Sequence, residues 1–313
     1  MKKVNIGIVG LGAIGERLIN VFNRHDGFVI SKVFDASFEQ LRAISLKYGL
    51  SASVDFESLL KDEAVELVYL AVPPKYHHEM ALKIIDAGKH ILCEKPLANS
   101  VIEAENMFNA VKDKPIVNAM NFPLNYTSAY DKISKMLDSG ELGVIMGMEI
   151  HGIFPNWPRL WQVNPWIDSK DQGGFTREVF THFIQLVLHL FGPIEVLSSF
   201  PRYVDDEHSE ISLIATGRVD GQYPILFNGL SGVGHQEDIK LKIYGTLGTV
   251  ELVNWRDLYM TDSSKRTQIA LEDLDASLRL IDALYVKIVG GTSKVVDFES
   301  GLETVEVVER LLK

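Results

Sequence analysis

Val4-Asn5-Ile6-Gly7-Ile8-Val9-Gly10-Leu11-Gly12-Ala13-Ile14-Gly15 is the stretch that decides the fold. An apolar run passes directly into a turn with glycine at its first, third and sixth places, and the turn opens an amphipathic segment expected to be helical from Gly15 to Asn23. That order of strand, glycine turn and helix is the context of a dinucleotide-binding fingerprint. The first glycine permits the tight turn, the second lets the backbone approach a pyrophosphate, and the third lets helix and sheet pack closely. The partial positive charge of the helix start then faces the phosphates. Gly10, Gly12, Ala13, Ile14 and Gly15 are accordingly candidate cofactor contacts. Asp35, 20 residues after Gly15 at the end of the next apolar run, is placed to accept hydrogen bonds from the ribose hydroxyls. Ser37 can cap the helix that follows and so release Asp35 for that task. A carboxylate there repels a 2′-phosphate, and no arginine stands beside it, so NAD(H) is expected over NADP(H).

The same rhythm continues outward. Strands are expected at Val4 to Val9, Phe28 to Phe34, Leu67 to Val72, His90 to Cys93 and Ile116 to Ala119, with helices at Phe38 to Tyr48, His77 to Ala87 and Val101 to Val111 between them. Short runs apolar on both faces alternating with amphipathic helices predict a doubly wound parallel sheet over residues 1–121, with ligands at the carboxyl ends of its strands. After residue 121 strands crowd together: Val144 to Phe154, Val196 to Tyr203, Ser209 to Val219, Pro224 to Gly232, Ile239 to Tyr244 and Gly248 to Val253. Helices are expected there only at Ala129 to Leu137, Phe175 to Phe191 and Gly301 to Leu312. Residues 122–313 therefore read as an α+β domain with a large, mainly antiparallel open sheet.

Composition narrows the partners. Of 313 residues, 46% are hydrophobic and 23% charged, a globular profile. Lysine and arginine number 31 against 42 acidic residues, a formal charge of −11 without a concentrated basic patch, so no nucleic-acid partner is expected. The start Met1-Lys2-Lys3 followed by an apolar run imitates a signal peptide, but Glu16 and Arg17 stand where a cleavage site belongs. No run approaches the ~18 apolar residues of a membrane span. The single cysteine, Cys93, builds neither an intramolecular disulfide nor a Cys-based metal site, and a cytoplasmic location is expected.

Cys93-Glu94-Lys95-Pro96 closes the fourth strand, and Val72-Pro73-Pro74-Lys75-Tyr76-His77 follows the third. Together with the glycine turn and Asp35, these motifs resemble the Gfo/Idh/MocA family, the glucose-fructose oxidoreductase and inositol dehydrogenase group of NAD(P)-dependent oxidoreductases. The resemblance implies that Lys95 lies beside the nicotinamide and the substrate's reacting oxygen, and that Glu94 positions the cofactor or the lysine. It makes Val72, Pro73 and His77 cofactor contacts as well, although His77 and His78 are equally able simply to begin a helix. A cation at the mouth of a dinucleotide crevice can stabilise a developing alkoxide and pass a proton.

The family's second signature is a glycine pair leading into a helix with an aspartate and, four residues on, a histidine. Gly173-Gly174-Phe175-Thr176-Arg177-Glu178-Val179-Phe180-Thr181-His182 matches that frame, with Glu178 in place of the aspartate. Helical spacing puts Glu178 and His182 on one face, where a carboxylate can orient an imidazole that serves as acid and base. Arg177 either recognises a carboxylate-bearing substrate or pairs with a protein acid. His182 has a core reading beside the catalytic one. Trp157, Trp161 and Trp166 either present aromatic faces to a sugar or anchor a long loop. Glu178, His182 and the remaining histidines form no complete ligand set, so no metal is expected.

These readings converge on an NAD(H)-dependent oxidoreductase moving hydride between nicotinamide and a hydroxyl or carbonyl carbon of a small polar molecule, a sugar, sugar derivative or cyclitol. Its catalytic candidates are Lys95, His182 and Glu178, and its candidate substrate contacts are those three with Trp161, Trp166 and Arg177. The altered Arg177-Glu178 pair leaves room for an imine or conjugated C=C reductase, and a non-catalytic NAD(H) sensor is a third reading. The resemblance also implies a homodimer or homotetramer assembled through the second domain's sheet.

Overall fold

The computed structural model describes residues 2–313. Five strands, β1 (Val4–Val9), β2 (Phe28–Phe34), β3 (Leu67–Leu70), β4 (His90–Cys93) and β5 (Asn118–Met120), form a parallel sheet in the order β2-β1-β3-β4-β5. The intervening helices are α1 (Ala13–Phe22), α2 (Phe38–Tyr48), α3 (Phe56–Lys61), α4 (His77–Asp86) and α5 (Val101–Val111). β1 and β3 are buried nearly throughout, which accounts for their unbroken apolar sequence. β3 stops at Leu70, short of the expected Val72, because the chain turns at Pro73-Pro74. β5 begins at Asn118 instead of Ile116.

Two compact units result, Met1–Pro123 with Asp275–Leu302, and Leu124–Leu274 with Glu303–Lys313. The expectation that residues 122–313 form one domain is corrected here, since α8 (Ala276–Ile288) belongs to the first unit. Its reason is packing: Leu280, Ile281, Leu284 and Tyr285 make one buried face. Tyr285 meets the Phe28 ring edge-on at 5.6 Å, and its hydroxyl donates to Lys2 O at 2.7 Å. Burying side chains of this size contributes roughly 1.5–3 kcal/mol each. The segment after α8 is tied to β5, where Met120 N donates to Val296 O at 2.7 Å and Phe298 N to Asn118 Oδ1 at 2.7 Å.

In the second unit, α6 (Ser128–Asp138) precedes β6 (Ile145–Phe154), and α7 (Thr181–Phe191) precedes seven further strands. These are β7 (Ile194–Tyr203), β8 (Glu210–Val219), β9 (Tyr223–Ser231), β10 (Asp238–Gly245), β11 (Thr249–Val253), β12 (Asp257–Thr261) and β13 (Arg266–Ile269). The sheet order is β13-β12-β11-β10-β6-β9-β8-β7, antiparallel except for the β6 and β9 pair. One face packs on Phe175, Phe180, Phe183 and their neighbours. The other carries the alternate residues, so that Phe200, Ile214, Asn228, His151 and Lys240 form one cross-strand row. β12 and β13 leave little mark in the sequence, since Leu258 is the one buried residue of β12 and β13 is a largely exposed edge strand without apolar alternation. The last helix, α9, spans Phe298–Leu311.

Candidate active site

In the first unit, the candidates gather at the carboxyl edge of the parallel sheet. Gly10 has φ +88°, and a Cβ there would fall 2.3 Å from Ala71 O. At Gly15 a Cβ would fall 2.0 Å from Gly10 O, so both glycines are dictated by close backbone approach. Gly12 differs: a Cβ would meet nothing within 4 Å. No side chain caps α1, leaving the N–H groups of its first turn, with Ala13 and Ile14 exposed, to an anionic ligand. An open face above an uncapped helix start fits the pyrophosphate of a dinucleotide.

Asp35 sets this turn. Its Oδ2 accepts the Leu11 N–H at 2.7 Å and its Oδ1 accepts the Ser37 N–H at 2.8 Å. Ser37, not Asp35, caps α2 by accepting from Gln40 N at 3.3 Å. An ionised carboxylate offers about four acceptor positions, so two backbone bonds leave room for ribose hydroxyls. Gln40, which the sequence reading passed over, donates from Nε2 to Leu11 O at 2.5 Å and holds the turn from its other side.

Glu94 follows β4. Its Oε1 accepts from the Tyr69 hydroxyl at 2.5 Å and from Asn121 Nδ2 at 2.5 Å. Burial, and then the adjacent Glu94 charge, push the Tyr69 phenol well above its usual range, so it stays a donor. Lys95 is half-buried beyond Glu94, as are Val72 and Pro73 beyond β3. Cys93 is fully buried, and burial raises its thiol pKa well above the ordinary value, which favours the thiol over the thiolate.

In the second unit, a glycine pair again fixes the entry to a helix. A Cβ on Gly173 would lie 2.1 Å from Ile167 O, and Gly174 has φ +96° with Glu210 Oε2 in the way. Glu210 is 1% exposed and accepts the Thr176 N–H at 2.8 Å; burial raises its carboxyl pKa. The chain then makes a π turn over Thr176–Phe180, with Thr181 N donating to Thr176 O, before α7 begins. The single helix expected from Phe175 to Phe191 is thus a π turn followed by an α-helix, a combination frequent at functional sites. Between Gly173 and Leu188 every residue is buried except Glu178 and His182. His182 meets the Trp255 ring edge-on at 5.4 Å, a contact no motif announced.

Two regions match family models: residues 4–122 match the oxidoreductase family with NAD-binding Rossmann fold, and residues 130–251 match the GFO/IDH/MocA C-terminal domain. The chain belongs to the Gfo/Idh/MocA oxidoreductase family. It is 28% identical over 213 residues to levoglucosan dehydrogenase of Pseudarthrobacter phenanthrenivorans, covering 64% of this chain and 54% of that protein, so the match spans about half the relative's length. Myo-inositol 2-dehydrogenase of Thermotoga maritima is 22% identical over 273 residues, 86% of this chain and 78% of its own. Among solved structures, levoglucosan dehydrogenase with NADH and levoglucosan superposes with a TM-score of 0.86 at 20% identity, covering 99% of this chain and 96% of that one. A 3-ketoreductase from Actinomadura kijaniata with NADP gives 0.87 at 18% identity, covering 99% and 97%.

In this Gfo/Idh/MocA chain two of the candidate contacts are engaged within the protein itself. Arg177 is 7% exposed, and its guanidinium is spent on Glu309 Oε1 at 2.8 and 3.2 Å and on Lys170 O at 2.8 Å. It is a buried cation paired within the protein, the second of the two expected readings. His77 is fully buried with both ring nitrogens on backbone oxygens. Trp157 packs edge-on against Phe154 and Phe175 at 5.1 and 6.1 Å, the anchoring reading. Trp161 is 73% exposed and Trp166 half-buried. Among the described residues no group of three or more His, Cys, Asp or Glu is arranged to hold a metal, and no helix is long and apolar enough to cross a membrane.

Proposed function

We propose that the chain is an NAD(H)-dependent oxidoreductase acting on a hydroxyl or carbonyl carbon of a small polyhydroxylated substrate, a sugar, sugar derivative or cyclitol. The observation carrying this reading is the isolated emergence of Glu178 and His182 from a segment buried everywhere else between Gly173 and Leu188. A carboxylate and an imidazole four residues apart are thereby the only side chains of this segment left accessible to a small molecule. The substrates named for two relatives, levoglucosan and myo-inositol, support that substrate class.

A nicotinamide dinucleotide held here would supply the hydride chemistry, and the chain's own residues would bind and orient it. The glycine turn and the start of α1 bind the pyrophosphate, and Asp35 takes the adenosine ribose hydroxyls and disfavours a 2′-phosphate. Glu94, fixed through Tyr69 and Asn121, orients the nicotinamide end. Lys95 stabilises negative charge on the substrate oxygen, His182 accepts or returns its proton, and Glu178 orients the imidazole or a substrate hydroxyl. Trp161 and Trp166 offer aromatic faces to the sugar. The outward face of the eight-stranded sheet pairs an apolar end, with Phe200 69% exposed and Leu197, Ile214 and Leu226 also exposed, with a charged centre at Glu149, Lys240 and Lys242; it is the surface for a second copy of the chain.

A panel of polyols, sugars and keto acids followed by NADH absorbance tests the reading, with Lys95→Ala as control. Turnover by the native chain, lost in the variant while NADH binding persists, is expected. NADH binding without turnover of any candidate would favour the sensor reading instead.

A further inference from the structure

The imidazole of His77 lies between two backbone oxygens from different loops. Nε2 is 2.9 Å from Val72 O, and Nδ1 is 2.8 Å from Pro96 O. β3 and β4 are paired up to Leu70 and Cys93, and one further backbone bond, from Glu94 N to Leu70 O at 3.0 Å, ends the regular ladder. Beyond that point the two segments diverge, one through Val72 and Pro73 and the other through Lys95 and Pro96. His77 rejoins them past the end of the sheet.

We propose that His77 is a positioning residue that sets the spacing between the Val72-Pro73 loop and the Glu94-Lys95-Pro96 loop, and through it the placement of Lys95. The inference rests on Lys95 acting as proposed above, but the tie itself is independent of that role. The ring donates to one carbonyl in either neutral tautomer and to both when protonated. Burial pushes the imidazole pKa down and so favours the neutral ring, which donates to one of the two carbonyls; full burial keeps water from replacing that bond, and losing the ring leaves its carbonyl without a donor and removes the spacer between the two loops.

Amide substitutions separate the two ties. His77→Asn keeps a nitrogen at the reach of Nδ1 and so retains the Pro96 bond; His77→Gln keeps one at the reach of Nε2 and retains the Val72 bond. Hydrogen exchange by mass spectrometry should show residues 94–98 exchanging roughly tenfold faster in His77→Gln with residues 71–76 nearly unchanged, and the opposite in His77→Asn. NADH titration by fluorescence gives a second reading: His77→Gln should bind NADH within about threefold of the native chain while turnover falls roughly tenfold or more, a split that a general loss of stability does not produce. Equal effects of the two variants on both segments, or none, would overturn the proposal. If Lys95→Ala keeps full turnover, the catalytic reading falls, while segment-specific exchange would still establish the bridge.

Discussion

The Leu11 N–H and the Asp35 carboxylate are joined at 2.7 Å, so the residue expected to select the ribose also builds the glycine turn proposed for the pyrophosphate. A glycine turn needs a partner for the N–H it directs inward, and Asp35 supplies one while Gln40 takes the Leu11 carbonyl. The two halves of the fingerprint, separated in sequence, are one hydrogen-bonded object.

Asp35→Ala should therefore weaken NADH by more than the lost ribose contact. A hydrogen bond to a charged group is worth about 1.5–3 kcal/mol, and 1.4 kcal/mol is tenfold in affinity, so a rise in Kd of roughly 10- to 100-fold is expected. NADPH should lose less, since the repulsion of its 2′-phosphate disappears with the carboxylate. Fluorescence titration of both dinucleotides measures this; an unchanged NADH Kd would remove Asp35 from the site.

The ion pair between Arg177 and Glu309 makes a prediction about stability and not about substrate. Removing one partner of a buried pair strands the other, at a cost of about 3–5 kcal/mol. Arg177→Met should lower the midpoint of urea unfolding markedly, and adding Glu309→Leu should recover much of the loss. If Arg177→Met instead leaves stability intact and alters only the substrate KM, the guanidinium is a ligand after all.

What the sequence made legible follows from how local each signal is. Strand, glycine turn and helix lie within one continuous stretch, and Asp35 and Lys95 each end a strand whose apolar run is visible. Arg177 was ambiguous because its partner, Glu309, lies 132 positions away, and nothing in the spacing of either residue points to the other. Glu210 raised no expectation for the same reason, since a glutamate at the start of a β-strand is ordinarily solvated. The helix α8 was missed because its apolar face becomes meaningful only once β2 and its neighbours exist to receive it. The π turn at Thr176–Phe180 leaves no mark in hydrophobic spacing, since the residues on both of its sides are buried.

Phe200 tests the assembly. It stands opposite Ile214 on the outward face of the sheet, 69% exposed, and a self-association through that face would bury both. Light scattering should give a mass above that of the 35.1 kDa monomer, and Phe200→Asp should reduce it without altering the secondary structure seen by circular dichroism. A native chain of monomeric mass would overturn the assembly.

Glu210 gives the chain a distinctive response to pH. Burial raises its folded pKa above the ordinary glutamate value of 4.5, so the folded state holds this proton more tightly than the unfolded state does. Below about pH 4.5 the group is protonated in both states and its burial carries no ionisation cost. As pH rises through the interval between the unfolded and folded values, the unfolded chain ionises first and stability is lost, and the loss levels off above the folded pKa. Glu210→Gln keeps an oxygen to accept the Thr176 N–H and has no proton to lose. The variant should therefore match the native chain at the acid end and exceed it in thermal midpoint at neutral pH, with the gap opening above pH 4.5. A gap of the opposite sign at neutral pH would mean that the ionised carboxylate, drawn to Arg177, is the form the fold prefers.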